Sequence, residues 1–489
     1  MGNSLQVRLL DLASWSLLKH QDLAIASLET LPTELFPQLF LDAFQLKCTE
    51  TLRAMGQVWP FPTLPLGRLL HEILPCMKSL EAVMEGIDVL LAQEVHSRRC
   101  KLQVLDLGPI GDQFWYQWCG TPVRWSSKGK APRPVESARK GHTSARLEVV
   151  IDLTVSIAPL PKLTAYMLNW VKERKDVHLC CRKITFLHNS FIDMCLNTVK
   201  LSCVQEVEAN LYWKTSTLEL FAPILDQTKN LQRLIILCTE VPRHIWPSML
   251  KGESWFVTLL STQLFQLHSL RELYLESATF LKGHLDQVLR CPRTPLETLS
   301  LTGCPLLEQD LTHLGQCPNL TQLKELSLRG TLLSRVRDHL RLLLENCAST
   351  LQDLDLGMCG LQDSHLEAIL PALTLCSQLR ILKLFGNRVS RAVLVQMLRH
   401  LAGLPHLTLE VYPAPQESYS APKRLHQKTF DLLCARLRAV LRDLGKPRVI
   451  LVSTEPCSLH GKALLYNFEP TMSSYPCCHY QTQKISFLN

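Results

Sequence analysis

Apolar positions follow two alternating rhythms along this chain. From residue 270 onward, short runs with leucines at L-x-x-L-x-L spacing alternate with longer stretches whose apolar residues recur three and four apart. The first rhythm has the period of a strand with one buried face, and the second has that of an amphipathic helix. Four runs carry the full pattern: LETLSLTGC at 296–304, LKELSLRGT at 323–331, LQDLDLGMC at 351–359 and LRILKLFGN at 379–387. Their first leucines, Leu296, Leu323, Leu351 and Leu379, stand 27 or 28 residues apart. L-x-x-L-x-L-x-x-N/C at that period is the mark of a leucine-rich repeat, with Thr331 the one departure at the last place. One strand–helix unit cannot bury its own leucines, so the units must stack. The fold class expected is α/β: a leucine-rich-repeat solenoid (horseshoe), parallel strands inside and helices outside, capped by an N-terminal helical region.

The remaining pattern supplies the flanks. Residues 5–55 are helical in spacing, with segments LLDLASWSLL at 9–18, LAIASL at 23–28 and ELFPQLFLDAF at 34–44. The proline-bearing VWPFPTLPLG at 58–67 reads as a break, and 68–95 as helix again. A first L-x-x-L-x-L strand lies at 102–108. Less regular strands follow at 179–187, 204–213 and 231–237, a regular one at 270–276, and a last one at 404–411 before a helix (425–445) and a strand (448–453). The expected divisions are an N-terminal helical region (1–95), a first strand with a basic insertion (96–178), the solenoid with its capping helix (179–453) and a Cys/His-bearing tail (454–489).

The strand pleat assigns roles residue by residue. Leu299, Leu326 and Leu354 belong to the core, and a charge at any of them should unravel the stack locally. The last place needs a small side chain that bonds nearby turn backbone; Asn387 suits this best, Cys304 and Cys359 less well. The alternate positions form the expected partner surface: Glu272, Tyr274, Glu276, Thr298, Ser300, Thr302, Glu325, Ser327, Arg329, Asp353, Asp355, Lys383 and Phe385. That surface is mixed and partly acidic.

Composition narrows the function classes. The chain has 489 residues, 52 Lys+Arg and 44 Asp+Glu, for a formal charge of +8. Much of the excess sits in residues 120–146, where seven Lys/Arg accompany the single acid Glu136, so no broad nucleic-acid footprint remains elsewhere. This segment reads as a solvated loop. Nineteen cysteines form no paired framework, and Arg8 and Asp11 stand where a secretory leader would be apolar. Reduced thiols and a cytoplasmic or nuclear setting are expected. No run of 18 apolar residues predicts a membrane span. The opening residues resemble a myristoylation signal, but Gln6 stands where Ser or Thr is needed. No phosphate-cradling glycine loop, nucleophile elbow or zincin motif is present, so no catalytic residue and no cofactor is assigned. Cys457, His460, Cys477, Cys478 and His479 give the tail a zinc-like composition, but the adjacent pair Cys477–Cys478 favours a loosely packed tail, and no metal is assigned.

The N-terminus is more specific. Leu9, Ala13 and Leu17 stand four apart and form one helical stripe, matching an elongin-binding BC box. Leu31, Pro32, Leu35 and Leu39 follow with the spacing of a cullin-2 box, with Pro32 suited to a helical first turn. A competing reading makes these helices a cap on the first repeat, and the LPTELF string at 31–36 also resembles the opening of an F-box.

These strings, together with LRAMGQVWPFPTLPLG at 52–67, LDQVLR at 285–290 and SQLRIL at 377–382, resemble the PRAME family (preferentially expressed antigen in melanoma) over nearly the whole chain. The resemblance implies a horseshoe fold. It also implies a substrate receptor for a cullin-2/elongin ubiquitin ligase and, for some members, repression of retinoic-acid-receptor transcription with effects on differentiation, proliferation and apoptosis. The implied partners are elongin B/C, cullin-2 and a protein substrate, with no direct nucleic acid and no membrane. Departures from the family pattern are Cys457-Ser-Leu-His460 where C-P-x-C is usual, and a middle loop without a compact basic cluster. An L-x-x-L-L motif occurs at Leu340, Leu343 and Leu344, on a helix whose leucines are expected to face the core.

Overall fold

The computed structural model describes residues 8–67, 69, 77–94, 97–108, 115, 118, 146–155, 161–187, 199–212, 223–239, 253–333, 338–421, 424–444, 448–455 and 465–467. The chain divides into two compact units, residues 1–185 with 191–203, and residues 186–190 with 204–489.

The first unit opens with four helices: α1 (Leu9–Leu18), α2 (Gln21–Ser27), α3 (Phe36–Leu46) and α4 (Thr49–Gln57). Strand β1 (Thr63–Pro65), helix α5 (Met77–Ala92), strands β2 (Val104–Asp106) and β3 (Leu147–Val155), helix α6 (Lys162–Lys172) and strand β4 (Val177–Leu187) follow. The strands lie in the order β1-β2-β3-β4, and the pairs β1–β2 and β2–β3 are parallel. Sequence pattern missed β1, because its prolines read as a break. Pro65 is tolerated because β1 pairs only with β2, at an edge where no second ladder needs its absent N–H. It also missed β3, which directly follows the basic segment, and α6. The core is aromatic: Trp59 meets Phe40 edge-on at 5.1 Å, and Phe40 stacks on Trp115 at 5.6 Å. The indole N–H groups of Trp59 and Trp115 donate to the carbonyls of Thr63 and Pro65, both at 3.0 Å. Helices α4 and α5 cross at Gly86, where a Cβ would lie 2.1 Å from the Arg53 carbonyl.

The second unit is the repeat array. Its strands are β5 (Glu206–Tyr212), β6 (Arg233–Thr239), β7 (Glu272–Glu276), β8 (Thr298–Thr302), β9 (Glu325–Ser327), β10 (Asp353–Asp355), β11 (Ile381–Lys383) and β12 (Leu409–Pro413). All eight run parallel in chain order. A small antiparallel hairpin, β13 (Tyr419–Ala421) with β14 (Arg424–Leu425), stands apart. Strand β15 (Val449–Ser453) adds in parallel to β12, and β16 (Leu465–Asn467) closes in antiparallel fashion. Between strands come helices α7 (Glu253–Gln266), α8 (Leu285–Leu289), α9 (Glu308–Gln316), α10 (Asp338–Cys347), α11 (Asp363–Leu375) and α12 (Arg391–Leu401), with α13 (Gln427–Leu444) after β14. The expected leucine-rich-repeat solenoid is therefore formed.

Its spine is in register. Leu273, Leu299, Leu326, Leu354 and Leu382 are successive cross-strand partners, each at most 1% exposed. Each contributes roughly 1.5–3 kcal/mol of burial. After each of β7–β11 the chain turns through a left-handed residue: Ser277, Gly303, Gly330, Met358 and Gly386, with φ between 54° and 72°. The residue after that turn bonds back to the preceding repeat. The thiol of Cys304 donates to the Leu275 carbonyl at 3.4 Å, and the hydroxyl of Thr331 to the Leu301 carbonyl at 2.8 Å. Cys359 reaches the Leu328 carbonyl at 3.0 Å, and the Asn387 amide reaches that of Leu356 at 2.8 Å. Thr331, the sequence departure, thus makes the same bond as its neighbours.

Asn387 does most at this place, because it also donates to the Leu384 carbonyl at 2.8 Å and accepts from the Leu361 N–H at 3.0 Å. Asn387→Ala should lower stability by about 1–3 kcal/mol for each buried backbone group left unpaired. Cys359→Ala, losing a weak thiol donor, should cost clearly less. Urea denaturation followed by circular dichroism checks this; equal losses would show that the bonding capacity of this place is immaterial.

Candidate partner-binding surfaces

Helix α1 is built inside out. Arg8 caps it, its backbone N–H and guanidinium both donating to the Asp11 carboxylate at 3.0 Å. Hydrogen bonds from Arg8 hold the Asp11 carboxyl below its usual pKa against the opposing effect of burial. Arg8 also donates to Gln38 at 3.0 Å, and Gln38 donates to Asp42 at 3.0 Å. Gln38 and Asp42 are buried on α3, so this polar chain joins α1 to the body of the unit. On α1 itself Ser14 and Leu18 are the buried residues. Leu9 is 85% exposed, Leu12 51% and Trp15 42%. Ala13 is also exposed, and Leu17 is half-buried. On α2, Leu23 is exposed at 59%. Leu18 and the polar chain attach the helix, while Leu9, Leu12 and Trp15 form an apolar face toward solvent.

The three BC-box-like residues Leu9, Ala13 and Leu17 therefore keep accessible surface. The cullin-2-box-like group is split. Pro32 is exposed and Leu31 and Leu35 half-buried, but Leu39 is 3% exposed and belongs to the core. Pro32 does not enter a helical first turn; it precedes the short 3-10 turn Thr33–Leu35, and the proline in the first turn of α3 is Pro37. Leu12, Trp15 and Leu23 complete the exposed face and were not singled out by spacing, since exposure cannot be read from an evenly apolar helix.

The outward positions of β5–β11 form cross-strand rows. Glu206, Arg233, Glu272, Thr298, Glu325, Asp353 and Ile381 are successive register partners. Glu208, Ile235, Tyr274, Ser300, Ser327, Asp355 and Lys383 form the next row. Glu276 and Thr302 pair beyond them. Arg233 is clamped by Glu272 at 2.6 Å and Glu206 at 3.6 Å, under the Tyr274 ring, whose hydroxyl donates to Glu272 at 3.1 Å. Burial and neighbouring acids raise the Tyr274 pKa. Lys383 lies 3.7 Å from Asp355, Arg329 covers the Phe385 ring at 5.2 Å, and Ser300 bonds Thr302 at 3.1 Å. Of the expected surface residues only Thr298 is buried. Glu206, Glu208 and Arg233 join the surface; their repeats were too irregular in sequence to place them.

Negative charge accumulates at β9 and β10. Burial, then Asp353 and Glu272, raise the Glu325 pKa, with Arg233 and Lys383 opposing. Burial raises the Asp353 pKa against Lys383 and Arg380. These two acids are direct cross-strand partners, an arrangement that opposes folding.

Other expected features resolve plainly. Leu340, Leu343 and Leu344 of the L-x-x-L-L motif are buried, at 6%, 2% and 0% exposure, as the repeat pattern requires. Among the described residues no group of His, Cys, Asp and Glu has the arrangement of a metal site, and no helix is long and apolar enough to cross a membrane. The tail residues Cys457, His460, Cys477, Cys478 and His479, the loop 120–145 and Gln6 lie outside the described residues.

The raised Asp353 pKa fixes a sign. The folded state keeps the Asp353 proton to higher pH than the unfolded chain, so ionisation works against folding as pH rises through and above the usual carboxylate range. Asp353→Asn should therefore raise the thermal midpoint at pH 7. The gain should vanish in acid below ~4, where the unfolded Asp is also protonated. Melting curves from pH 3 to 8 check this, and a loss of stability at pH 7 would contradict it.

The model of the PRAME N-terminal domain matches residues 6–115, and that of the PRAME C-terminal domain matches residues 147–478. PRAME family member 12 of Homo sapiens is 44% identical over 482 residues, covering 96% of this chain and 97% of that protein. PRAME family member 7 of Homo sapiens is 42% identical over 469 residues, covering 95% and 98%. Among solved structures, the leucine-rich repeat-containing protein LegL7 from Legionella pneumophila aligns at 13% identity and TM-score 0.36, covering 64% of this chain and 92% of its own. A chain of the Rad7 and Elc1 complex in yeast aligns at 17% identity and TM-score 0.40, covering 84% of this chain and 93% of its own. With two domain models spanning most of the sequence and relatives matched along nearly their full length, the chain belongs to the PRAME family.

Proposed function

We propose that this protein is the substrate-recognition adaptor of a cullin-2/elongin-type E3 ubiquitin ligase, promoting ubiquitination and proteasomal degradation of a client protein. The observation that carries the reading is the outward apolar face of α1, held in place by the Arg8–Asp11–Gln38–Asp42 chain. Leu9, Ala13 and Leu17, the BC-box-like set, lie on or beside that face and would contact elongin B/C. Leu31, Pro32 and Leu35 would approach cullin-2, with Leu39 supporting them from the core. An exposed leucine helix that a polar network fixes rigidly is poised for burial by a partner, and burying it would contribute binding energy without further folding.

The strand rows of the second unit would hold the client. Glu206, Glu208, Glu272, Glu276, Glu325, Asp353 and Asp355 outnumber Arg233, Arg329 and Lys383 there, which favours a client segment rich in Lys or Arg. Family resemblance also raises the reading of a transcriptional corepressor of the retinoic-acid-receptor type, without ligase attachment. Its receptor-docking motif would need Leu340, Leu343 and Leu344, which this fold commits to its core, so the ligase reading is preferred.

Affinity purification from expressing cells tests the proposal. Leu9→Asp combined with Leu17→Asp should abolish recovery of elongin B/C and cullin-2, while the far-ultraviolet spectrum and melting midpoint stay close to wild type. Undiminished recovery with the double variant would overturn the assignment of α1.

A further inference from the structure

The first unit carries a cluster that the adaptor reading does not use. The thiol of Cys203, in the short turn Leu201–Cys203, lies 3.6 Å from Nε2 of His178 on β4. Cys180, two residues along β4, projects from the same face of the strand as His178, and both Cys203 and Glu148 of β3 act on its titration. A carboxylate, two thiols and an imidazole, from Glu148, Cys180, Cys203 and His178, thus gather on this side of β4. Both cysteines are free and half-buried, so a small solute reaches them. Most of the described cysteines are instead buried packing groups.

We propose that Cys203 is a peroxide-reactive thiol and Cys180 its resolving partner, the pair forming a reversible disulfide between β4 and the 201–203 turn. The chemistry follows from the neighbours. The hydrogen bond from Cys180, and then that from His178 with its charge, favour the Cys203 thiolate against burial and Glu148. The same bond to Cys203, with burial and Glu148, keeps Cys180 protonated. One thiol is therefore the nucleophile and the other waits.

The step balances with hydrogen peroxide as the oxidant. The Cys203 sulfur attacks one peroxide oxygen, an S–O bond forms and the O–O bond breaks. The departing hydroxide takes a proton from the His178 imidazolium and leaves as water. Sulfur is oxidised by two electrons to a sulfenic acid, and the peroxide is reduced. Cys180 then attacks the Cys203 sulfur while its proton passes to Glu148. The S–S bond forms, the S–O bond breaks, and the hydroxide released takes that proton as a second water. Forming the bond brings the two sulfurs to about 2.05 Å. Nothing here depends on ligase attachment, so failure of either idea leaves the other standing.

The test uses the purified full-length chain. Under limiting iodoacetamide at pH 6, Cys203 should be alkylated about tenfold faster than Cys100 and Cys291. Those two share its half-buried exposure, but burial raises their pKa values. His178→Gln should remove most of that advantage. Hydrogen peroxide followed by non-reducing peptide mapping should yield the Cys180–Cys203 cross-link before any other, reversed by dithiothreitol. In Cys180→Ser, dimedone should instead trap a sulfenic acid at Cys203. Alkylation of Cys203 no faster than that of Cys100 and Cys291 would overturn the proposal using wild-type protein alone. So would peroxide that oxidises other thiols first.

Discussion

The alignment of one leucine per strand with its counterpart in the next repeat is the constraint on which the second unit depends. Leu273, Leu299, Leu326, Leu354 and Leu382 can stack only if every repeat returns its chain to the same height. The left-handed turn residue does this, and the side chain that follows secures it by bonding the carbonyl of the previous strand. Those carbonyls belong to the last residues of a strand or to the residue just past its end. A buried carbonyl left unpaired there would cost about as much as one leucine contributes. Hydrophobic stacking therefore supplies the magnitude of the stability, and the polar turn supplies its geometry. Met358 shows how strict the turn is: a long side chain accepts φ 59° there instead of moving the backbone.

The same pleat that buries the leucines leaves their neighbours free. Because successive side chains point to opposite faces, each outward residue is fixed in position by the core without contributing to it. Charged residues can collect in rows there at modest cost, and they do so asymmetrically. Near β6 and β7 the acids are matched by Arg233, whereas at β9 and β10 Glu325 and Asp353 oppose each other across the ladder. A like-charge pair on adjacent strands does nothing for the fold. Arg233 and Lys383, on other strands, offset its effect on Glu325.

Legibility in the sequence followed regularity. The four repeats from Leu296 to Asn387 gave period, register and turn position, because each leucine has one place to go. The outward residues could be named for the same reason, apart from Thr298, which is buried in the middle of its row. Where the spacing drifts, at 147–155 and 162–172, strand β3 and helix α6 were missed. β1 was missed because proline usually ends a strand, and only its edge position makes Pro65 acceptable. The first unit's thiol cluster joins residues far apart in sequence, Glu148, His178, Cys180 and Cys203, and no local spacing announces it.

Helix α1 is the instructive case between these extremes. Its sequence is apolar nearly all round, so spacing alone fits either a buried cap or a docking face. The decision lies in residues outside the helix. Gln38 and Asp42 are buried polar groups on α3, and such groups are stable only when paired. Arg8 bridges Gln38 to Asp11, so these polar side chains set which side of α1 turns inward. Leu9, Leu12 and Ala13 then have nowhere to go but outward. If hydrophobic burial within the unit had fixed the orientation, the helix would rotate to cover its leucines and leave Ser14 in water. The structure instead buries Leu18 beside Ser14 and turns Leu9, Leu12 and Trp15 outward, and the hydrogen-bond chain holds the helix in that orientation.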